Sequence, residues 1–248
     1  MRQQIELQPV EAVPVDVTVV FDETTLSQRT IARHFNSDLA KIASLLRPVD
    51  RLSVITFARD VRETMPMQPL SAWEENGLPE LDPSADRRAR LDFSHDPRLR
   101  YHALSDALLL AMARPAELGR RHLVVAFVTE IDTGSLSVKD LLGRIASRSD
   151  ALIEIAIWNW GNRLTPIGAH IQFTRRELGV VAAVSGGEVR DADDRVKSFE
   201  KIFSQFRSSY LLQYSVTGVP LEGWHTVAVT LPRLPEYTVR ARRGYWGR

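Results

Sequence analysis

Three short apolar runs constrain this chain more than any other feature: VDVTVVF at Val15 to Phe21, HLVVAFVT at His122 to Thr129, and ALIEIAIW at Ala151 to Trp158. Runs this brief and this rich in β-branched residues suit strands covered on both faces, the environment of a parallel sheet. Between them the periodicity changes. From Arg29 to Arg47 the apolar residues Ile31, Phe35, Leu39, Ile42 and Leu46 recur every three or four positions, as on one face of a helix.

The same spacing returns in HALSDALLLAMA (102–113), SVKDLLGRIASR (137–148), FTRRELGVVAAVSGG (173–187) and VKSFEKIFSQFR (196–207). Gly186 and Gly187 read as a helix stop, and the pair Asp193 and Asp194 as the N-cap region of the helix that follows. RLSVITFA (51–58) is a further buried strand. VRETMPM (61–67) alternates and carries a proline, which places it at a sheet edge. Glu188 to Arg190 is a short strand, and the polar interval 69–100 is loop with one short helix.

Strands alternating with helices predict a Rossmann-like, doubly wound, mostly parallel α/β domain over residues 15–207. Residues 1–14 read as an N-terminal linker. Residues 208–248 break the rhythm: YLLQYSV, WHTVAVTL and YTVRARRGYW read as a C-terminal antiparallel β meander.

Charge and composition exclude several classes of function. With 32 basic against 31 acidic side chains, no overall field draws the chain to nucleic acid or to an anionic membrane. Arg240, Arg242 and Arg243 lie among Tyr237, Tyr245 and Trp246, a mixture that can bind single strands. Balanced charge favours instead a packed strand with its arginines on the solvated face. The absence of cysteine removes disulfides and thiolate zinc sites. No secretory leader and no apolar run of about 20 residues is present, so no membrane span is expected.

In an open parallel sheet ligands bind beyond the carboxyl ends of the strands. The residues there are Asp22, Glu23, Thr24 and Thr25 after the first buried strand, Arg59 and Asp60 after the second, and Glu130 and Asp132 after HLVVAFVT. Acidic and hydroxyl oxygens side by side suit a hard cation. Asp22 and Thr24 can equally bond backbone amides and cap the next helix.

The succession VDVTVVFDETT, LLRPVDRLSVITFA, YHALSDALLLAM, RRHLVVAFVTEIDTGS and FRSSYLLQYSV…GWHTVAVTL…VRARRGYWG resembles a von Willebrand factor type A domain. In particular it resembles the bacterial VWFA-related proteins that end in such a tyrosine- and arginine-rich segment. The opening RQQIELQPVEAVPVDV resembles the linker that in longer relatives follows an immunoglobulin-like domain, so the chain is expected to be a piece of a longer, exported bacterial protein.

That resemblance implies a metal-ion-dependent adhesion site: an Asp-x-Ser-x-Ser loop, a threonine before a later helix, and an aspartate after the fourth strand, completed by a partner's carboxylate. Carried over residue by residue, Asp22 keeps the first position and Thr24 replaces the first serine. Leu26 stands for the second serine, His102 for the threonine, and Glu130 for the last aspartate. Leucine offers no oxygen, and imidazole prefers softer ions than Mg²⁺. The resemblance thus implies a degenerate site, no resident cofactor, and a non-enzymatic interaction module whose partner is a protein. A manganese or zinc site built from Asp22, Thr24, His102 and Glu130 is the divalent-cation alternative.

His102 has a second reading as a packed or capping residue at the start of a helix. An enzymatic alternative takes Asp22 as the nucleophile of a haloacid-dehalogenase-like phosphotransferase. Such chemistry wants a second carboxylate where Thr24 stands and a lysine near the phosphate, and between positions 42 and 196 only Lys139 occurs. The contact face is expected at the loops 22–28, 59–60, 95–102 and 130–136 with the 69–100 interval, and Trp73, Trp158 and Trp160 are candidate anchors.

Overall fold

All eight residues of Val15–Asp22 are buried, which only a strand covered on both faces and flanked on both edges can achieve. The computed structural model describes residues 5–22, 28–57, 61–76, 103–114, 117–128, 136–158, 167–214, 218, 222–234 and 236–247. Its strands are β1 (Ile5–Pro9), β2 (Val15–Asp22), β3 (Arg51–Phe57), β4 (Val61–Pro69), β5 (Arg121–Val128), β6 (Leu152–Trp158), β7 (Val189–Ala192), β8 (Tyr210–Tyr214), β9 (Gly223–Thr226) and β10 (Gly244–Gly247). The helices are α1 (Gln28–Ser44), α2 (Leu70–Asn76), α3 (Leu104–Ala113), α4 (Leu136–Arg148), α5 (Ile167–Ser185) and α6 (Arg195–Arg207).

Six strands form the central sheet in the order β4-β3-β2-β5-β6-β7. All neighbours are parallel except β4, which runs antiparallel to β3 at the edge, where the prolines of VRETMPMQP lose no ladder bond that matters. The alternation of side chains sorts the core into two layers. Val15, Val17, Val19 and Phe21 meet Phe35, Leu39 and Ile42 of α1 and Phe199, Ile202 and Phe206 of α6. Val20, Ile55 and Val124 meet α3, α4 and α5 through Leu108, Leu142 and Ala182.

Local signals explain the helix ends. Asp194 accepts a bond from the Lys197 amide at 2.9 Å and caps α6. After α5, Gly186 takes φ +92°. The Gly187 amide reaches Ala182 O at 2.9 Å and the Gly186 amide reaches Ala183 O at 3.2 Å, a Schellman ending. Position 187 must also be glycine, because a Cβ there would lie 1.9 Å from Ile153 O. Helix α5 begins at Ile167, six residues before the periodicity that predicts it from 173. No described helix is long and apolar enough to cross a membrane.

Both ends of the chain depart from the expected arrangement in their pairing. Ile5–Pro9, in the stretch read as linker, is a strand paired antiparallel with Tyr210–Tyr214. Val10 is 2% exposed and its amide bonds Ser209 O at 2.9 Å, so this stretch is folded onto the domain. The C-terminal strands are antiparallel as expected, but they divide between two partners: β8 joins β1, and β9 pairs with β10.

A carboxylate ties these parts together. Asp50 is fully buried and accepts from the amides of Val15 and Arg47, both at 2.9 Å, and from the Arg207 guanidinium at the end of α6. Burial works to raise its pKa, but these donors outweigh burial and hold the carboxyl below the usual aspartate value. Arg47 and Arg207 also each donate to Val13 O at 2.8 Å. Replacing Asp50 by alanine strands a buried guanidinium and a buried amide, so chemical denaturation of Asp50→Ala should show a loss of about 3–5 kcal/mol. Asp50→Asn should lose less.

Candidate functional site

The strand order reverses direction at the middle of the sheet. From β2 the chain moves to β3 and β4 on one side, then crosses to β5, β6 and β7 on the other. In open sheets of this kind ligands bind beyond the carboxyl ends of the two strands at such a reversal, here β2 and β5. Asp22 is the last residue of β2, opposite Phe57 of β3, and is 3% exposed. By alternation it shares a face with Val20, the face covered by α3.

Of the residues expected to complete the site, Thr24, His102 and Glu130 lie outside the described residues, as does Leu26. The structure therefore places one member of the set, and places it at the switch point. Among the described residues no group of three or more histidine, aspartate or glutamate side chains is arranged to hold a metal ion. The chemistry of the donors is what tests the fit. Two positions of the mapped set, Leu26 and His102, supply no oxygen, which suits Mg²⁺ poorly and leaves nitrogen-tolerant ions as the better match.

Trp73, on α2, is half-buried and packs against the α1 side of the core. Its indole nitrogen is buried without a hydrogen-bond partner among the described residues. Trp158 ends β6 on the same rim as Asp22, and Trp160 lies outside the described residues.

The opposite rim holds polar chemistry that periodicity alone did not single out. Asp16 accepts from Arg51 Nε at 2.8 Å and from Arg120 Nε at 2.6 Å. Burial works to raise its pKa, and the two guanidinium contacts overcome burial to leave it lowered. Deeper in the sheet, Thr18 Oγ1 stands 2.9 Å from both Ser53 Oγ and His122 Nε2. The hydroxyl proton of Thr18 serves one neighbour while its oxygen accepts from the other. Burial pushes His122 down to about 4, so the ring is neutral at physiological pH. The sequence signal for this row was present as polar residues inside the apolar runs VDVTVVF, RLSVITFA and HLVVAFVT.

The C-terminal arginines also find partners inside the molecule. Arg240 pairs with Glu154 at 3.2 Å and with Glu188 at 3.1 Å. Arg242 donates to Ser147 O at 2.7 Å at the carboxyl end of α4, and Trp246 Nε1 donates to Ser147 Oγ at 3.0 Å. Only Gly244–Gly247 of this segment is strand, and Arg240 and Arg242 turn toward protein rather than toward the solvated face expected of them. Burial raises the Glu154 carboxyl despite its two arginines.

A scan against protein-family models gives no match, and neither does a comparison with curated protein sequences. Solved structures do match. One is a von Willebrand factor type A protein from Catenulispora acidiphila, at 11% identity and TM-score 0.51 over 83% of this chain and 50% of that one. The chain has a von Willebrand factor type A-like fold. The conserved hypothetical protein BatB from Bacteroides thetaiotaomicron matches at 13% identity and TM-score 0.50, over 79% of this chain and 100% of that one. Proximal thread matrix protein 1 from the mussel byssus matches at 13% and 0.50, over 85% and 51%. This chain thus spans about half the length of the first and the last of these structures.

The sheet's buried histidine makes stability depend on pH. The unfolded chain protonates His122 near its ordinary 6.5 while the folded chain resists until about 4, so stability is lost as pH falls between those values. The loss is about 3 kcal/mol. Asp16 and Asp50 add a further loss only below the ordinary aspartate value of 3.8, and Glu154, with its raised carboxyl, acts in the opposite sense. Denaturant titrations from pH 7 to 4 should therefore show a shallower decline for His122→Gln than for the natural protein.

Proposed function

We propose that this domain is a non-catalytic protein-interaction module whose contact face is the carboxyl end of the parallel strands, and that it binds its partner without a divalent cation. The observation that supports this reading is the position of Asp22 at the switch point of a type A-like sheet. The donor set explains the independence from metal. With Leu26 and His102 at two of the five mapped positions, an octahedral magnesium shell would lack oxygens that it tolerates losing badly.

The phosphotransferase alternative is weaker on chemical grounds. Asp22 could serve as a nucleophile only with charges positioned to neutralise a transferring phosphoryl group. Lys139, the single lysine between positions 42 and 196, lies on α4, and Thr24 takes the place where the second carboxylate is needed.

Calorimetric titration with Mg²⁺, Mn²⁺ and Zn²⁺ distinguishes the readings. The natural protein should give no binding heat with Mg²⁺, and Asp22→Ala should leave capture of a partner in chelator unchanged relative to capture with added cation. Heat with Mn²⁺ or Zn²⁺ that disappears in Asp22→Ala would instead establish the variant site of Asp22, Thr24, His102 and Glu130. Turnover of phosphate esters with Mg²⁺ supplied, abolished by Asp22→Asn, would overturn the non-catalytic reading.

A further inference from the structure

We propose that the outer edge of β8 is a self-association surface, on which a second copy of this chain adds its own β8 to form a continuous four-stranded sheet. The inference is independent of the carboxyl-end face and rests on the β1–β8 ribbon. This ribbon is a two-stranded sheet, five residues long on each side, with no third strand among the described residues. Two strands alone are marginal in water, and stability comes with a third strand or a packed layer.

One face of the ribbon is apolar. Leu7 lies opposite Leu212, and Pro9 opposite Tyr210, with Leu7 64%, Tyr210 65% and Leu212 37% exposed. The hydrogen-bonding phase follows from Pro9 and Val10. Pro9 has no N–H to give, and the Val10 amide bonds Ser209 O. Antiparallel pairs alternate, so Gln8 with Leu211 and Glu6 with Gln213 exchange the ladder bonds. The backbone N–H and C=O groups of Tyr210, Leu212 and Tyr214 consequently point away from β1, toward the open edge.

The other sheet edges are protected. β4 carries Pro66, Pro69, Arg62 and Glu63. The start of β7 is flanked by the C-terminal segment, where Arg240 pairs with Glu188 and Arg242 N would lie 3.0 Å from a Cβ on Gly186. β9 and β10 are only four residues each. β1 lacks a donor at Pro9 and carries Glu6. Of the edge strands longer than four residues, β8 alone has neither proline nor charge, and no charged residue occurs between Arg207 and Glu222.

That neutrality decides the occupant. A two-fold interface sets each residue against its own copy or a near neighbour, so a charged strand would repel itself and this one does not. Pairing centred on Leu212 opposes Leu212 to its own copy and Tyr210 to Tyr214 of the second molecule. All of these are residues whose backbone groups face outward, so each pair can exchange both of its bonds. Directly opposed side chains share a face, so the apolar stripe of Leu7, Leu212 and Tyr210 continues across the axis.

Sedimentation equilibrium over a hundredfold range of concentration tests the proposal. The natural chain should show a concentration-dependent monomer–dimer equilibrium. Leu212→Pro removes only an outward donor, and Leu212→Lys sets like charges against each other on the axis. Each should weaken dimerisation at least tenfold while thermal unfolding shows a folded protein, and Val180→Lys, at an exposed residue of α5, should leave it unchanged. A monomer throughout the range, or a dimer that both Leu212 variants leave intact, overturns the proposal.

Discussion

Asp50 is where distant parts of this chain are made to agree. Its carboxylate receives the first amide of the central strand, the amide of Arg47 just after α1, and the guanidinium of Arg207 at the end of the last helix of the α/β layers. A carboxylate can be taken fully out of water only when such donors satisfy it. The arrangement therefore fixes where β2 begins, how α1 returns to β3, and where α6 stops. Arg47 and Arg207 extend the same anchoring to Val13, which is why the chain before β2 lies against the domain.

The layered architecture was legible because each buried strand needs apolar side chains on both faces, and the runs around Val19, Val125 and Ile155 meet that need at most positions, with Asp16, Thr18, His122 and Glu154 the buried polar exceptions. Pro66 disclosed the edge strand for an equally direct reason, the missing amide. Partners remote in sequence were less legible. Nothing in IELQP says that its companion is YLLQY about two hundred positions on, because strand periodicity carries no address. The early start of α5 was not legible, because the stretch from Ile167 to Gln172 does not carry a clear helical period.

For the candidate site, sequence and structure contribute different halves. The spacing of Asp22 after a buried run locates a strand end, and the strand order turns that end into a switch point. The loops that follow the strands lie outside the described residues, so the donor set is known by identity rather than by geometry. Meanwhile Thr18, Ser53 and His122 show that polar residues within an apolar run can be structural. Each satisfies another across neighbouring strands, and the neutral imidazole is the form that such a dry layer favours.

The ribbon also has a mechanical meaning. Ile5 and Tyr214 sit together at its far end, while Val10 and Ser209 meet where it joins the body. A tensile load applied across Ile5 and Tyr214 would pull the two strands apart crosswise, opening their bonds one after another like a zip. The Asp50 junction would feel the load only after the stem had opened, which makes β1 and β8 a compliant element in series with a stiff one.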